Sequence, residues 1–221
     1  MTISDNMANE IISRDDQIKL VKVQENLDHR QIFLDHFIGT TENPGWYFNE
    51  KITRFISPNL NTRESYDGYS LEQRMSMESM MFVGHTTQSS NSQNYGVVAY
   101  YIYFQEKIVG HISLSTFNQK NSYHIDMVIG DENYWGKGIA STVAMLVIEE
   151  SEKAGFKTVH RGADIKNMGS RKVITRLKGM KLDLLSTLNS WMGFNFRLNY
   201  KGNIPKLVEE IAKKPPDYMA K

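Results

Sequence analysis

Cysteine is absent from this 221-residue chain, which excludes disulfides, thiolate-held zinc and a cysteine nucleophile. An excess of one charge is also missing. Lys and Arg total 26 against 25 Asp and Glu, a net charge of +1. That balance gives no basic field of the kind that draws a protein to nucleic acid or an anionic membrane, and neither partner is expected. No apolar run approaches the about 20 residues needed to cross a bilayer. The polar start, residues 1–16, carries no signal-peptide core. Internal repeats and coiled-coil heptads are absent too. What remains, 40% hydrophobic and 23% charged, is the composition of an ordinary globular protein, expected to be cytoplasmic.

The length suits one domain with a sizeable core. Residues 1–16 read as a flexible arm, 17–204 as the domain, and 205–221 as a C-terminal helix and tail. Ile18 to Val23 reads as a first strand. Leu27, Phe33, Leu34, Phe37 and Ile38 recur at helical spacing, and Gly39 ends that helix. Thr40 to Gly68 is irregular and aromatic, with Trp46, Tyr47, Phe48, Phe55 and Tyr66, and has room for a short helix. A helix is predicted from Ser70 to Val83, its methionines filling core gaps. A polar loop, His85 to Asn94, precedes three strand-like runs: Val97 to Phe104, Lys107 to Phe117 and Ser122 to Ile129. Their short connections make an antiparallel meander. A helix from Gly138 to Ala154 follows, then a strand from Phe156 to Ala163 and a short helix starting around Ser170. Strands at Lys181 to Leu185 and Trp191 to Tyr200, and a helix at Pro205 to Lys213, complete the pattern.

Chemistry concentrates in Tyr134-Trp135-Gly136-Lys137-Gly138-Ile139-Ala140-Ser141, between an apolar strand and an apolar helix. Glycines at a strand-to-helix turn let backbone approach a ligand. The helix start behind them offers unpaired N–H groups and the positive end of its dipole to an anion. A phosphate-bearing ligand is the natural occupant, and a tight turn that merely needs glycine is the plain alternative. A P-loop fails on spacing, because five residues separate Gly130 from Gly136 where four are needed, and Gly138 replaces the metal-binding hydroxyl. A dinucleotide loop departs only in having Ser141 for Gly or Ala, but its usual setting is a parallel sheet, whereas a meander precedes this loop.

The span from about Val97 to Met180 resembles the GNAT acetyltransferase superfamily, in particular the branch with the ribosomal-protein N-terminal acetyltransferases. Ile125 to Ala140 carries the resemblance: an apolar strand, an acidic turn at Asp131-Glu132, then Tyr-Trp-Gly-Lys-Gly. Asn167, Ser170, Leu177, Gly179 and Met180 are similar to the family's Asn-x-x-Ser helix and its end. The resemblance implies an α/β (α+β) fold: a mixed, mainly antiparallel sheet split at a cofactor cleft and flanked by helices. It also implies acetyl-coenzyme A as donor and no metal. Pantetheine would pair with backbone near Met127 and Ile129. The pyrophosphate would sit on amides from Gly136 through Lys137, Gly138, Ile139 and Ala140 to Ser141, with Trp135 at the start of the loop and Asn167 and Ser170 contacting the cofactor.

The implied reaction is direct attack of a neutral primary amine on the thioester. In the family role, the Met127 amide stabilises the oxyanion. His124 and Asp126 alternate onto one strand face and are the base candidates. Ser170 is the nearest donor to the departing thiolate, because Ile174 stands where many relatives have Tyr. A Ser at a helix start more usually serves as a cap. The acceptor would be a peptide N-terminus or a small amine, such as a polyamine or aminoglycoside, and the protein a monomer or homodimer. The aromatic and polar loops would shape the acceptor site. Two other readings stay open: a non-catalytic acyl-coenzyme A-binding sensor or scaffold, and a nicotinamide-dependent enzyme.

Overall fold

The computed structural model describes residues 6–52, 63–86, 96–116, 122–156, 158–164, 167–177, 181–183 and 195–201. The chain divides into two compact units, one of residues 1–22 with 88–221 and the other of residues 23–87.

The larger unit is built on a mixed sheet. Its strands are β1 (Glu10–Ile12), β2 (Ile18–Lys22), β3 (Gly96–Phe104), β4 (Lys107–Thr116), β5 (Ser122–Ile129), β6 (Thr158–Asp164), β7 (Lys181–Asp183) and β8 (Asn195–Lys201). They lie in the order β1-β2-β3-β4-β5-β6-β8-β7. Neighbours from β1 to β5 are antiparallel, β5 and β6 are parallel, and β8 is antiparallel to both β6 and β7. The β3–β4 hairpin turns at Gln105-Glu106, both at positive φ (48° and 64°), as a two-residue turn matched to strand twist requires.

One face of these strands builds an apolar core, while β3 is buried on both faces. Ile18, Leu20, Val98, Tyr100, Ile102, Ile112, Leu114 and Ile125 are buried in one core cluster. Helix α4 (Ile139–Lys153) covers them with Ile139, Val143, Ala144, Leu146, Val147 and Ile148. Each large aliphatic side chain fully buried there contributes roughly 1.5–3 kcal/mol. Gly110 on β4 is required by close approach, because a Cβ would lie 2.1 Å from the Val128 carbonyl oxygen on β5.

Part of the expected arm is structured: Glu10–Ile12 pairs with β2, and the Ala8 amide donates to the Glu150 carboxylate at 3.1 Å. A three-residue strand at a sheet edge carries too little periodicity to be read from sequence.

The smaller unit holds α1 (Leu27–Phe33), which widens into a π-helical turn over Leu34–Ile38, then α2 (Arg63–Asp67) and α3 (Leu71–Thr86). The expected single helix from Leu27 to Ile38 thus changes its winding, and the irregular stretch contains α2 and a 3-10 turn at Trp46–Phe48. Aromatic rings fill this unit: Phe33 stacks on Phe37 at 5.2 Å, and Phe37 meets Trp46 at 4.8 Å and Tyr47 at 5.4 Å. Arg63 ties the loop to α2, donating from Nη1 to the Ile38 carbonyl at 2.7 Å and pairing through Nε with Asp67 at 2.9 Å. That guanidinium holds the Asp67 carboxyl below its ordinary range. Burial lowers the His29 and His36 pKa values against the pull of Asp28 and Asp35.

The expectations for Phe55, most of the polar loop, Phe117, Gly179, Met180, Leu185, Trp191 to Phe194 and the tail helix at 205–213 lie outside the described residues.

Candidate active site

The candidate site lies wholly in the sheet unit, where β5 and β6 part. Their pairing runs from Ser122 opposite Thr158 to His124 opposite His160. Beyond that rung β5 continues to Ile129 and β6 to Asp164, with no further pairing between them among the described residues. A parallel pair with α4 as its crossover therefore exists locally, although the sheet around it is antiparallel. That pair is flanked by antiparallel neighbours, β4 on one side and β8 on the other, unlike the parallel sheet of a dinucleotide fold.

Met127 and Ile129 point to the α4 side and pack partly buried against the core. His124, Asp126 and Val128 take the other face by strand alternation. His124 is half-buried and Asp126 exposed. The register sets Ser115 opposite His124, Ser113 opposite Asp126 and His111 opposite Val128. Directly opposed residues have Cβ atoms about 4.5–5.5 Å apart. The two base candidates therefore belong to a polar ladder that includes three β4 residues not singled out from sequence. The alternation His111-x-Ser113-x-Ser115 is their visible signal; the register that sets it beside β5 is not.

The turn after β5 begins with Asp131, whose side chain accepts from the Asn133 amide at 2.9 Å. The Trp135 indole N–H donates back to the Ile129 carbonyl at 2.7 Å, while its ring remains 41% exposed. Lys137 Nζ lies 5.0 Å from the centre of the Tyr134 ring, which meets Phe104 edge-on. Gly136 and Gly138 adopt φ of 77° and 86°, a region that penalises any Cβ.

Gly138 is also the N-cap of α4, and this sets α4 apart. Side-chain oxygens of Asn26, Ser70 and Asn167 accept from the first-turn amides of α1, α3 and α5 (Met168–Arg176). No side chain caps α4. The Ser141 and Thr142 amides bond to the Gly138 carbonyl at 3.0 and 3.1 Å. Among the described residues, the amides of Gly136, Lys137, Gly138, Ile139 and Ala140 have no such backbone partner. The amides left open thus run from 136 to 140, and the Ser141 amide is drawn into the helix. A Cβ added at Gly136 would meet nothing within 4 Å, so the turn is open on that side. Open amides, a helix dipole and open space fit a pyrophosphate.

Asn167 caps α5, its side-chain oxygen accepting from the Ser170 amide at 3.0 Å. Capping thus falls to Asn167 and not Ser170, and α5 begins two residues earlier than the sequence suggested. The carboxamide NH2 of Asn167 is left as the end that can reach a ligand. Ile174 is 3% exposed and apolar, so this position supplies no proton. Among the described residues, no group of His, Asp and Glu could hold a metal ion, and no helix is long and apolar enough to cross a membrane.

A sheet that splits beside an uncapped glycine turn is the arrangement that the GNAT resemblance implies. Residues 30–180 match the family described as acetyltransferase (GNAT) domain, and the chain belongs to the GNAT acetyltransferase family. It is an N-acetyltransferase by that membership. None of the curated proteins searched matches the sequence. Among solved structures, a domain from Methanocaldococcus jannaschii is 20% identical with a TM-score of 0.55, covering 83% of this chain and 99% of that one. A Salmonella typhimurium acetyltransferase, described as modifying the N-terminal serine of ribosomal protein L7/L12, is 15% identical with a TM-score of 0.58, covering 88% and 100%. The ribosomal L7/L12 α-N-acetyltransferase RimL, in complex with coenzyme A, is 14% identical with a TM-score of 0.57, covering 87% and 98%. At these identities the likeness is one of fold.

Proposed function

We propose that the protein transfers the acetyl group of acetyl-coenzyme A to a primary amine, on a peptide N-terminus or a small molecule, by direct attack. The observation that carries this reading is the uncapped start of α4, the one helix among α1, α3, α4 and α5 whose first amides meet no side chain. Acetyl-coenzyme A supplies an activated thioester. Amides 136–140 bind its pyrophosphate, Lys137 and Trp135 border them, and the unpaired β5 edge near Met127 and Ile129 aligns the pantetheine. The Asn167 carboxamide and Ser170 contact the cofactor from α5.

The Met127 amide donates to the acetyl oxygen, where charge builds. His124 and Asp126 take the amine proton, directly or through water. Ser170 is the proposed donor to the departing sulfur, since Ile174 has no proton to give. Alignment of amine and thioester supplies much of the acceleration, so these side chains have modest tasks. The RimL-type neighbours favour a peptide N-terminus as acceptor. The functional span is proposed as 17–204, with 205–221 as a tail, in a cytoplasmic monomer or homodimer.

The test is coenzyme A thiol release from acetyl-coenzyme A with serine-initiated peptides, spermidine and kanamycin. Turnover with one acceptor class, and about a hundredfold loss on replacing the true base, are expected. Gly138→Val should abolish cofactor binding. Tight cofactor binding without turnover on any acceptor would instead establish the non-catalytic sensor. Unchanged pH–rate profiles in both His124→Ala and Asp126→Asn would remove these two residues from the mechanism.

A further inference from the structure

The smaller unit contains a recess of about 410 Å³ between the end of α1, the 39–43 segment, α2 and α3. Its volume is within the range of small-molecule sites, about 300–1,000 Å³. Leu34 and Ile38 give it an apolar side, and Arg63, Tyr66, Arg74 and the carboxylates of Asp35 and Glu78 a polar one, Asp35 accepting from Gln31 at 2.7 Å. Most of the polar groups are already committed. Tyr66, 2% exposed, donates its hydroxyl to the Glu78 carboxylate. Arg63 is spent on the Ile38 and Gly39 carbonyls and on Asp67.

Arg74 differs. Its guanidinium lies 6.0 Å from the centre of the Tyr66 ring. Its Nε is buried with no hydrogen-bond partner. Among the described residues, the ion pairs of the chain do not include it. A buried donor left unsatisfied costs about 1–3 kcal/mol, more when charged. The Arg63 guanidinium, 5.0 Å from the same ring, adds a like charge nearby. A guanidinium fork bordering a cavity matches the two oxygens of a carboxylate.

We propose that this recess is a second ligand site, which takes a small monocarboxylate with an apolar body, its carboxylate on Arg74 and its body against Leu34 and Ile38. The site goes beyond the acetyl-transfer reading and needs none of the residues proposed to bind the cofactor or to react, although Arg63 and Tyr66 belong to the 40–68 stretch expected to shape the acceptor site.

Calorimetric titration of the full chain without coenzyme A tests it, using 3-phenylpropionate, its uncharged amide and inorganic phosphate. Saturable binding of 3-phenylpropionate is expected, at least tenfold tighter than the amide or phosphate. Arg74→Gln should weaken it at least tenfold, while Ser76→Ala, exposed on the same helix, should leave it unchanged. Equal affinity for acid and amide, preference for phosphate, or no binding at millimolar 3-phenylpropionate would overturn the proposal. An unaltered affinity in folded Arg74→Gln would do the same. If that variant does not fold, the acid–amide comparison in the native chain decides.

Discussion

The two units solve the problem of holding a shape by different means. The sheet unit buries aliphatic side chains in a periodic pattern, and its candidate chemistry comes largely from backbone: an uncapped helix start, a glycine turn and a strand edge. The helical unit relies on aromatic contacts and on arginines that donate to carbonyls or carboxylates. Backbone-made sites tolerate drift in side chains but are sensitive to a single Cβ. Sites and cores made by long polar side chains have the opposite sensitivity.

The largest effect expected from this contrast is at Gly110. Gly110→Val forces a side chain into the Val128 carbonyl, 2.1 Å from the Cβ position. Loss of more than about 3 kcal/mol is expected, an exceptional value for a single change, read by chemical denaturation. A smaller shift would show that β4 and β5 can separate and that the sheet is less rigid than its register implies.

Arg63→Met tests the other unit. It removes donors to the Ile38 and Gly39 carbonyls and the partner of Asp67, and should cost about 2 kcal/mol. Hydrogen exchange should report the loss at residues 34–39 and 63–67, with β3 to β5 unchanged. Equal loss of protection in β4 would erase the distinction drawn between the units.

The smallest effect concerns pH. The His29 Nδ1 accepts from the Gln24 amide at 2.8 Å, and burial depresses its pKa. A depressed histidine pKa means the unfolded chain binds more protons, so stability from this group is full above the ordinary value near about 6.5. It is lost as pH falls from there through the folded value. The protection factor of the Gln24 amide, its exchange rate corrected for the intrinsic pH dependence, should fall on mild acidification, and His29→Gln should flatten that response.

Much of the fold and the donor site was legible because the signals are local. Short apolar and aromatic runs with hairpin-length connections, Val97 to Phe104 and Ser122 to Ile129, placed β3 and β5, and glycine at 136 and 138 announced a special turn. What escaped depends on residues far apart in sequence. The β1 edge strand exists only through pairing with β2, and the ladder of His111, Ser113 and Ser115 depends on register set by the β3–β4 turn and the β4–β5 pairing. The Arg63 bridge to Ile38 spans 25 residues, beyond any helical or strand period. The Trp135 bond to Ile129 could be reached by the chain but had no sequence signature.

That indole bond has an optical consequence. An indole emits according to the polarity and hydrogen bonding around it, and Trp135 donates to the last residue of β5 while its ring faces solvent. With Trp46 and Trp191 replaced by Phe, the remaining fluorophore would sit at the end of the strand that parts from β6. Its spectrum would then report, in real time and without any label, when a molecule arrives at that end.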